Sequence, residues 1–180
     1  MEQEDVIETI NAWYTLHSRE LFQYIFFMIH EHEQAKDLMQ DTFVRAHSHF
    51  HLFDGNNAKG WLFRIARNVT IDYLRKKRTK TIVTNPFFLF KTSNPSAEHI
   101  VTANETEREL YFALSKLKRN YRDVIILRKI KGFSIDETTK ILGWSESKVK
   151  TTLVRGLKAL KKQLEKEGYS HERTERDYRV

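Results

Sequence analysis

An all-α fold, two small helical domains joined by a flexible linker, is what this sequence predicts. Apolar residues recur every three or four positions over most of the 180 residues. Both prolines, Pro86 and Pro95, fall in one central stretch rich in Asn, Ser and Thr. The second half closes on a helix-turn-helix pattern.

Taken in order, residues 5–30 form the first helical pattern, with Val6, Ile7, Ile10, Trp13, Tyr14, Leu21, Phe22, Ile25, Phe26 and Ile29 as its apolar side. Residues 33–50 follow, with Ala35, Leu38, Met39, Thr42, Phe43 and Ala46 as one stripe. His51-Leu52-Phe53-Asp54-Gly55-Asn56 reads as a loop by composition. Residues 57–77 return to helical spacing through Trp61, Leu62, Ile65, Ala66, Val69, Tyr73 and Leu74, with Asn57 as the expected cap. These patterns make a first domain of residues 1–78. Residues 79–104 make the linker. Within it Thr81–Thr84 and Phe87–Phe90 have the composition to extend, and the Phe-Phe-Leu-Phe run suits a protein interface.

The second domain spans 105–166. Leu110, Leu114 and Leu117 mark one helix; Val124, Ile125, Leu127 and Ile130 mark another, ended by Gly132. Ser134 with Glu137 has capping-box spacing, and Ile135, Ile141 and Leu142 are the expected buried side of the next helix. Gly143 falls where a sharp turn needs positive φ. Ser145 caps a final helix with Val149, Leu153, Leu157 and Leu160 as its apolar stripe. The polar residues 167–180 read as a disordered tail.

Composition narrows the function. A formal charge of +7 and a pI near 9.5 favour an anionic partner such as nucleic acid or a lipid surface. Without cysteine, neither a disulfide framework nor a zinc finger is available. The acidic first residues are unlike a signal peptide, and Tyr24–Ile29 is too short an apolar run to span a bilayer. A soluble, cytoplasmic protein is the expectation.

Three constellations stand out. Lys36, Asp37, Gln40, Asp41, Val44 and Arg45 form a mainly acidic strip off the apolar stripe, suited to docking a protein. Asn56, Asn57 and Lys59 offer hydrogen bonds beside the rings of Phe53, Trp61 and Phe63, followed by Arg64, Arg67, Asn68, Asp72, Arg75, Lys76 and Lys77. Rings beside cations suit single-stranded nucleic acid, although Trp61 itself reads as core. The final helix carries Ser147, Lys148, Lys150, Thr151, Thr152, Arg155 and Lys158 off its stripe, short hydroxyls and cations that can meet base edges and phosphates of a major groove. His47 and His51 lie four apart, but His49 points away from them, so surface histidines are expected and no metal or other cofactor. No phosphate loop or nucleophile motif is present, and no enzyme is expected.

Ala35 to Ala46, then Trp61-Leu62-Phe63-Arg64-Ile65-Ala66-Arg67-Asn68-Val69-Thr70-Ile71-Asp72-Tyr73-Leu74-Arg75, then the helix-turn-helix, occur in a specific order. In this the chain resembles the extracytoplasmic-function sigma factors of the sigma-70 family, over residues 10–78 and 105–165. The resemblance implies a subunit that binds RNA polymerase core and directs promoter-specific initiation. It assigns Asp37, Gln40, Asp41 and Arg45 to the clamp of the beta-prime subunit. It assigns Asn56, Asn57, Lys59, Trp61, Arg64, Arg67, Asn68, Asp72 and Arg75 to opening and holding the −10 element. Ser147, Lys148, Lys150, Thr151, Thr152 and Arg155 fall to the −35 element. It also implies an anti-sigma partner, often membrane-anchored, which would hold the chain at the inner face of the membrane. Gly60, Thr139, Lys118-Arg119-Asn120 and Thr152 depart from the family pattern. Promoter elements about 25 base pairs apart lie about 85 Å apart. A linker of about 26 residues reaches about 90 Å extended and about 30 Å relaxed, so the free domains are expected to sit closer than a promoter requires. The competing readings are a stand-alone helix-turn-helix regulator on paired half-sites, a basic adaptor without sequence discrimination, and a histidine-metal enzyme.

Overall fold

The computed structural model describes residues 3–84 and 105–166, and every element among them is helical. The N-terminal domain is built from α1 (Gln3–Ile29), α2 (His32–Ser48), a 3₁₀ turn (Phe50–Leu52) and α3 (Ala58–Thr84). The three long helices pack pairwise around Leu21, Ile25, Met28, Leu62, Ala66 and Val69, all nearly inaccessible to solvent. On α2 the buried set is Ala35, Leu38, Met39, Thr42, Phe43 and Ala46, the stripe its periodicity predicts. Thr42 and Thr70 sit in this core because each hydroxyl donates to the carbonyl four residues back, Leu38 and Ala66. His30 ends α1 in the left-handed region at φ 63°, with its amide bonded to Phe26 O.

Several expectations are corrected. Thr81–Thr84 does not extend: it is the last turn of α3, which runs past the boundary placed at residue 78. Ile7 and Tyr14 are exposed rather than core, whereas Tyr24 and Phe63 are fully buried. The Phe87–Phe90 run and the tail from residue 167 lie outside the described residues.

The C-terminal domain comprises α4 (Glu105–Ser115), α5 (Arg119–Ile125), α6 (Ile135–Leu142) and α7 (Glu146–Lys166). A π-helical turn, Ile126–Ile130, extends α5, so Ile130 lands at the surface instead of on the core side. Gly132, at φ 75°, then turns the chain toward α6. Ser134 and Glu137 form the full capping box, with N–H to side-chain distances of 3.1 and 2.7 Å. Gly143 ends α6 at φ 65°, and Ser145 Oγ accepts from Lys148 N at 3.3 Å to start α7. Val149 and Leu160 are buried as the stripe predicts, and Gly156 is buried with them. A Cβ at Gly156 would come within 3.2 Å of Tyr121 Cβ and of the Ile125 side chain, so any larger residue here requires these neighbours on α5 to give by a few tenths of an ångström. Gly156→Val is expected to destabilise the domain by about 1–3 kcal/mol, since a branched side chain overpacks the contact with Tyr121 and Ile125. Urea unfolding checks this; an unchanged midpoint would refute it.

The two domains pack directly on each other, α3 against α6 and α1 against α4 and α5. Phe63 meets Phe133 edge-on with ring centres 4.8 Å apart.

Candidate nucleic-acid interface

Trp13 of α1 organises the loop before α3. Its ring stacks on Phe50 (5.5 Å) and meets Phe53 (4.9 Å) and Trp61 (6.0 Å) edge-on. Trp61 is thus half-buried, a wall of the site and not a free platform. Asn57 adopts φ 45°, and its Oδ1 accepts from Gly60 N at 2.8 Å, capping α3. A Cβ at Gly60 would lie 2.9 Å from Asn57 Nδ2, so glycine here makes room for the cap.

This loop and α3 border two neighbouring clefts. One, about 410 Å³, is lined by Arg45, His49, Leu52, Trp61, Arg64, Ile65 and Asn68, all in the N-terminal domain. The other, about 250 Å³, shares Leu52, Trp61 and Arg64, adds Asn56, Asn57 and Gly60, and is closed on its far side by Glu137, Lys140 and Ile141 of α6. Asn56, Asn57, Arg64, Asn68 and Arg75 are exposed, and Arg75 pairs with half-buried Asp72 at 3.1 Å. Lys59 instead binds Glu20 at 2.6 Å and lies over the Phe133 ring. Arg67 is turned to the domain boundary, where its Nε donates to Asp123 Oδ2 at 2.9 Å. The expectation that Phe63 stacks on a base is overturned, because its ring is enclosed by Tyr24 and Phe133.

The strip on α2 is open. Lys36, Asp37, Gln40 and Arg45 are exposed and Asp41 half-exposed, with Arg45 Nε 3.1 Å from Asp41 Oδ2. Beside it runs an apolar groove of Ile7, Ile10, Tyr14, Phe43 and Val44. Sequence periodicity assigned Ile7 and Tyr14 to the core, so this groove was invisible to it.

On α7, Ser147, Lys148, Lys150, Thr151 and Arg155 are exposed, while Thr152 is half-buried. Lys148 lies 4.5 Å from the Trp144 ring centre and Lys150 pairs with Glu146. Val154, 67% exposed between Thr151 and Arg155, belongs to the same face; an apolar residue amid polar ones looks like core in a sequence. Its methyls suit a thymine methyl. Of the histidines weighed as metal ligands, His49 lines the 410 Å³ cleft and His47 borders the groove on α2. His47, His49 and His51 are exposed, and His49 Nδ1 is 2.9 Å from Arg45 O.

His30 has another role. Its Nε2 accepts from Arg122 Nη1 at 2.7 Å, which leaves Nδ1 to donate to Tyr111 Oη at 2.7 Å. Burial, then the Arg122 charge, pushes its pKa down to about 3. NMR titration should therefore show a neutral ring down to about pH 3; titration near an ordinary 6.5 would contradict the contact. The unfolded ring binds the proton first, so this contribution to stability is complete above 6.5 and is lost as pH falls toward 3. Asp123 acts in the opposite sense, since burial raises its pKa despite Arg67 and Tyr24, and acid favours its buried form.

Comparison with known proteins fits this arrangement. Residues 13–80 match the family described as Sigma-70 region 2, and residues 107–160 match Sigma-70, region 4. The chain is 39% identical to the ECF RNA polymerase sigma factor SigX of Bacillus subtilis, over 88% of this chain and 84% of that protein. It is 32% identical to SigM of the same organism, over 85% and 93%. Among solved structures, the sigma factor RpoE in complex with the anti-sigma factor NepR from Bartonella quintana superposes with TM-score 0.75 at 25% identity, covering 88% of this chain and 98% of that one. CnrH, in complex with the cytosolic domain of CnrY, shares the fold at TM-score 0.63 and 23% identity, covering 88% of each chain. With both regions matched in order and relatives this similar over most of its length, the chain belongs to the ECF sigma factors of the sigma-70 family, non-enzymatic proteins that direct transcription initiation.

Proposed function

We propose that the work of initiation is divided along the helices. The exposed strip of α2, Asp37, Gln40, Asp41 and Arg45, docks on the beta-prime clamp of RNA polymerase core, and the adjoining groove of Ile7, Tyr14 and Val44 adds apolar contact. The 410 Å³ cleft beside Trp61 takes an extruded base of the −10 element. Asn56, Asn57, Lys59, Arg64, Arg67, Asn68 and Arg75 hold the opened strand, while Asp72 orients Arg75. The free face of α7 reads the −35 duplex. The observation that carries this reading is the separation of a cleft flanked by cations from a basic recognition helix, two sites suited to two forms of one nucleic acid.

The partners follow. Core enzyme and promoter DNA are required, and an anti-sigma factor is proposed because RpoE was solved in complex with one. Among the described residues no helix is long and apolar enough to cross a membrane. The chain acts in the cytoplasm, and any hold at the membrane belongs to the anti-sigma factor.

Run-off transcription with purified sigma-free core on genomic templates tests the reading. New start sites sharing paired upstream elements are expected; none would refute it. Arg155→Ala is expected to cost about 1–3 kcal/mol on the −35 duplex if its fork meets a guanine. Competition binding against base-substituted duplexes measures this, and an equal loss on every sequence would reassign Arg155 to phosphate.

A further inference from the structure

We propose that Lys131 is an acylation site: its amine, set beside the cations Arg19 and Lys59, takes an acyl group from a small acyl phosphate such as acetyl phosphate. The inference is independent of the promoter reading, since the chemistry needs neither core enzyme nor DNA.

Three segments build the site. Lys131 follows the π-helical turn, with exposed Ile130 and Gly132 on either side, and its half-buried side chain reaches across to α1. There Nζ donates to Gln23 Oε1 at 2.7 Å, a neutral acceptor. The carboxylate of the cluster is Glu20, one turn before Gln23, and Lys59 of α3 already holds its Oε2 at 2.6 Å. Lys59 Nζ also lies 5.4 Å from the centre of the buried Phe133 ring, two residues beyond Lys131. His17, near Glu20 and Lys59, stays neutral at neutral pH because burial lowers its pKa. Three cations, Arg19, Lys59 and Lys131, thus share one carboxylate.

That shortage of negative charge has a chemical consequence. An ammonium partly out of water and beside other cations sheds its proton readily, the arrangement that activates lysine nucleophiles. Burial, with the Lys59 and Arg19 charges, pushes the Lys131 pKa down to about 8, although Glu20 pulls the other way. At pH 7.5 about a quarter of the amine is then neutral, against about one part in a thousand for an ordinary lysine.

The same cations select the donor. Arg19 is exposed and, among the described residues, makes no ion pair, so its guanidinium is open to a phosphate. The neutral Nζ attacks the carbonyl carbon of the acyl phosphate. The bond from that carbon to the phosphate oxygen breaks, and inorganic phosphate departs with the electron pair and takes up the proton lost by nitrogen. The product amide keeps one N–H for Gln23, and the cluster loses one positive charge.

Time courses of the folded, full-length chain with acetyl phosphate at pH 7.5, read site by site by peptide mass spectrometry, test the proposal. Lys131 is expected to be acetylated about ten-fold faster than exposed Lys129 and Lys158, because its larger neutral fraction outweighs the weaker nucleophilicity of a less basic amine. Its rate should level off above about pH 8 while theirs keep climbing. In urea-unfolded protein the lead should vanish. Arg19→Gln should shrink the lead more with acetyl phosphate than with N-hydroxysuccinimidyl acetate, a donor without charge on its acyl ester. A Lys131 rate equal to those of Lys129 and Lys158, or a lead that survives in urea, overturns the site. A lead confined to the ester overturns acyl phosphate as the donor.

Discussion

Arg122→Ala is expected to destabilise the protein by about 3–5 kcal/mol, because it strips a charged donor from five acceptors and each buried acceptor left unsatisfied costs about 1–3 kcal/mol. All five guanidinium donors are used. Nε donates to Leu114 O, Nη2 to Ser115 O and Leu117 O, and Nη1 to Met28 O and His30 Nε2, at 2.7–3.1 Å. Those carbonyls lie at or near the C-terminal ends of α1 and α4, where a helix leaves its last oxygens unpaired and a cation is favoured. One side chain thus closes two helix ends and ties the domains together. Burial lowers its pKa to about 10, so it remains charged at neutral pH. Arg122→Lys should recover little, because an ammonium lacks the planar fork that reaches both ends. Thermal and urea unfolding check this, and a loss below about 1 kcal/mol, the size of a single exposed contact, would contradict it.

Replacing Asp37 and Asp41 together by lysine is expected to weaken association with core at least a hundred-fold, about 3 kcal/mol, while leaving the fold intact. Asp37 is exposed, and Asp41 loses only its surface pair with Arg45, worth about 0.3–0.5 kcal/mol in a helix. The effect on docking is larger because reversed charges meet a partner surface matched to acids, and like charges across an interface cost about several kcal/mol. Co-elution with core and run-off transcription provide the measurement. Retained association by a folded double variant would remove the α2 strip from the docking site.

The two predictions differ in how far a sequence reveals their basis. The acidic strip was legible because α2 is covered on one side only. Its six buried positions, five of them apolar, pack inward, and what remains faces water. The capping box at Ser134 and Glu137, the turn at Gly143 and the stripe of α7 were legible for a related reason. Each depends on residues within a few positions of one another, so local backbone chemistry specifies them.

The roles of Arg122, Asp123, Tyr24 and Arg67 were not legible. A charged residue near a helix start reads as solvated, and nothing near Asp123 in the chain says otherwise. Its partners are 99 and 56 residues away. Tyr24 and Phe63 meet each other and the second domain, Tyr24 through Asp123 and Phe63 through Phe133, a contact that spacing along the chain does not show. Ile7 and Tyr14 fail in the opposite sense, since α1 is apolar on more sides than its neighbours cover. Periodicity states which sides of a helix avoid water, a property of 3.6 residues per turn. Which side meets which neighbour depends on where the folded chain brings remote segments together, and only there do burial, charge pairing and the close crossing at Gly156 acquire a value.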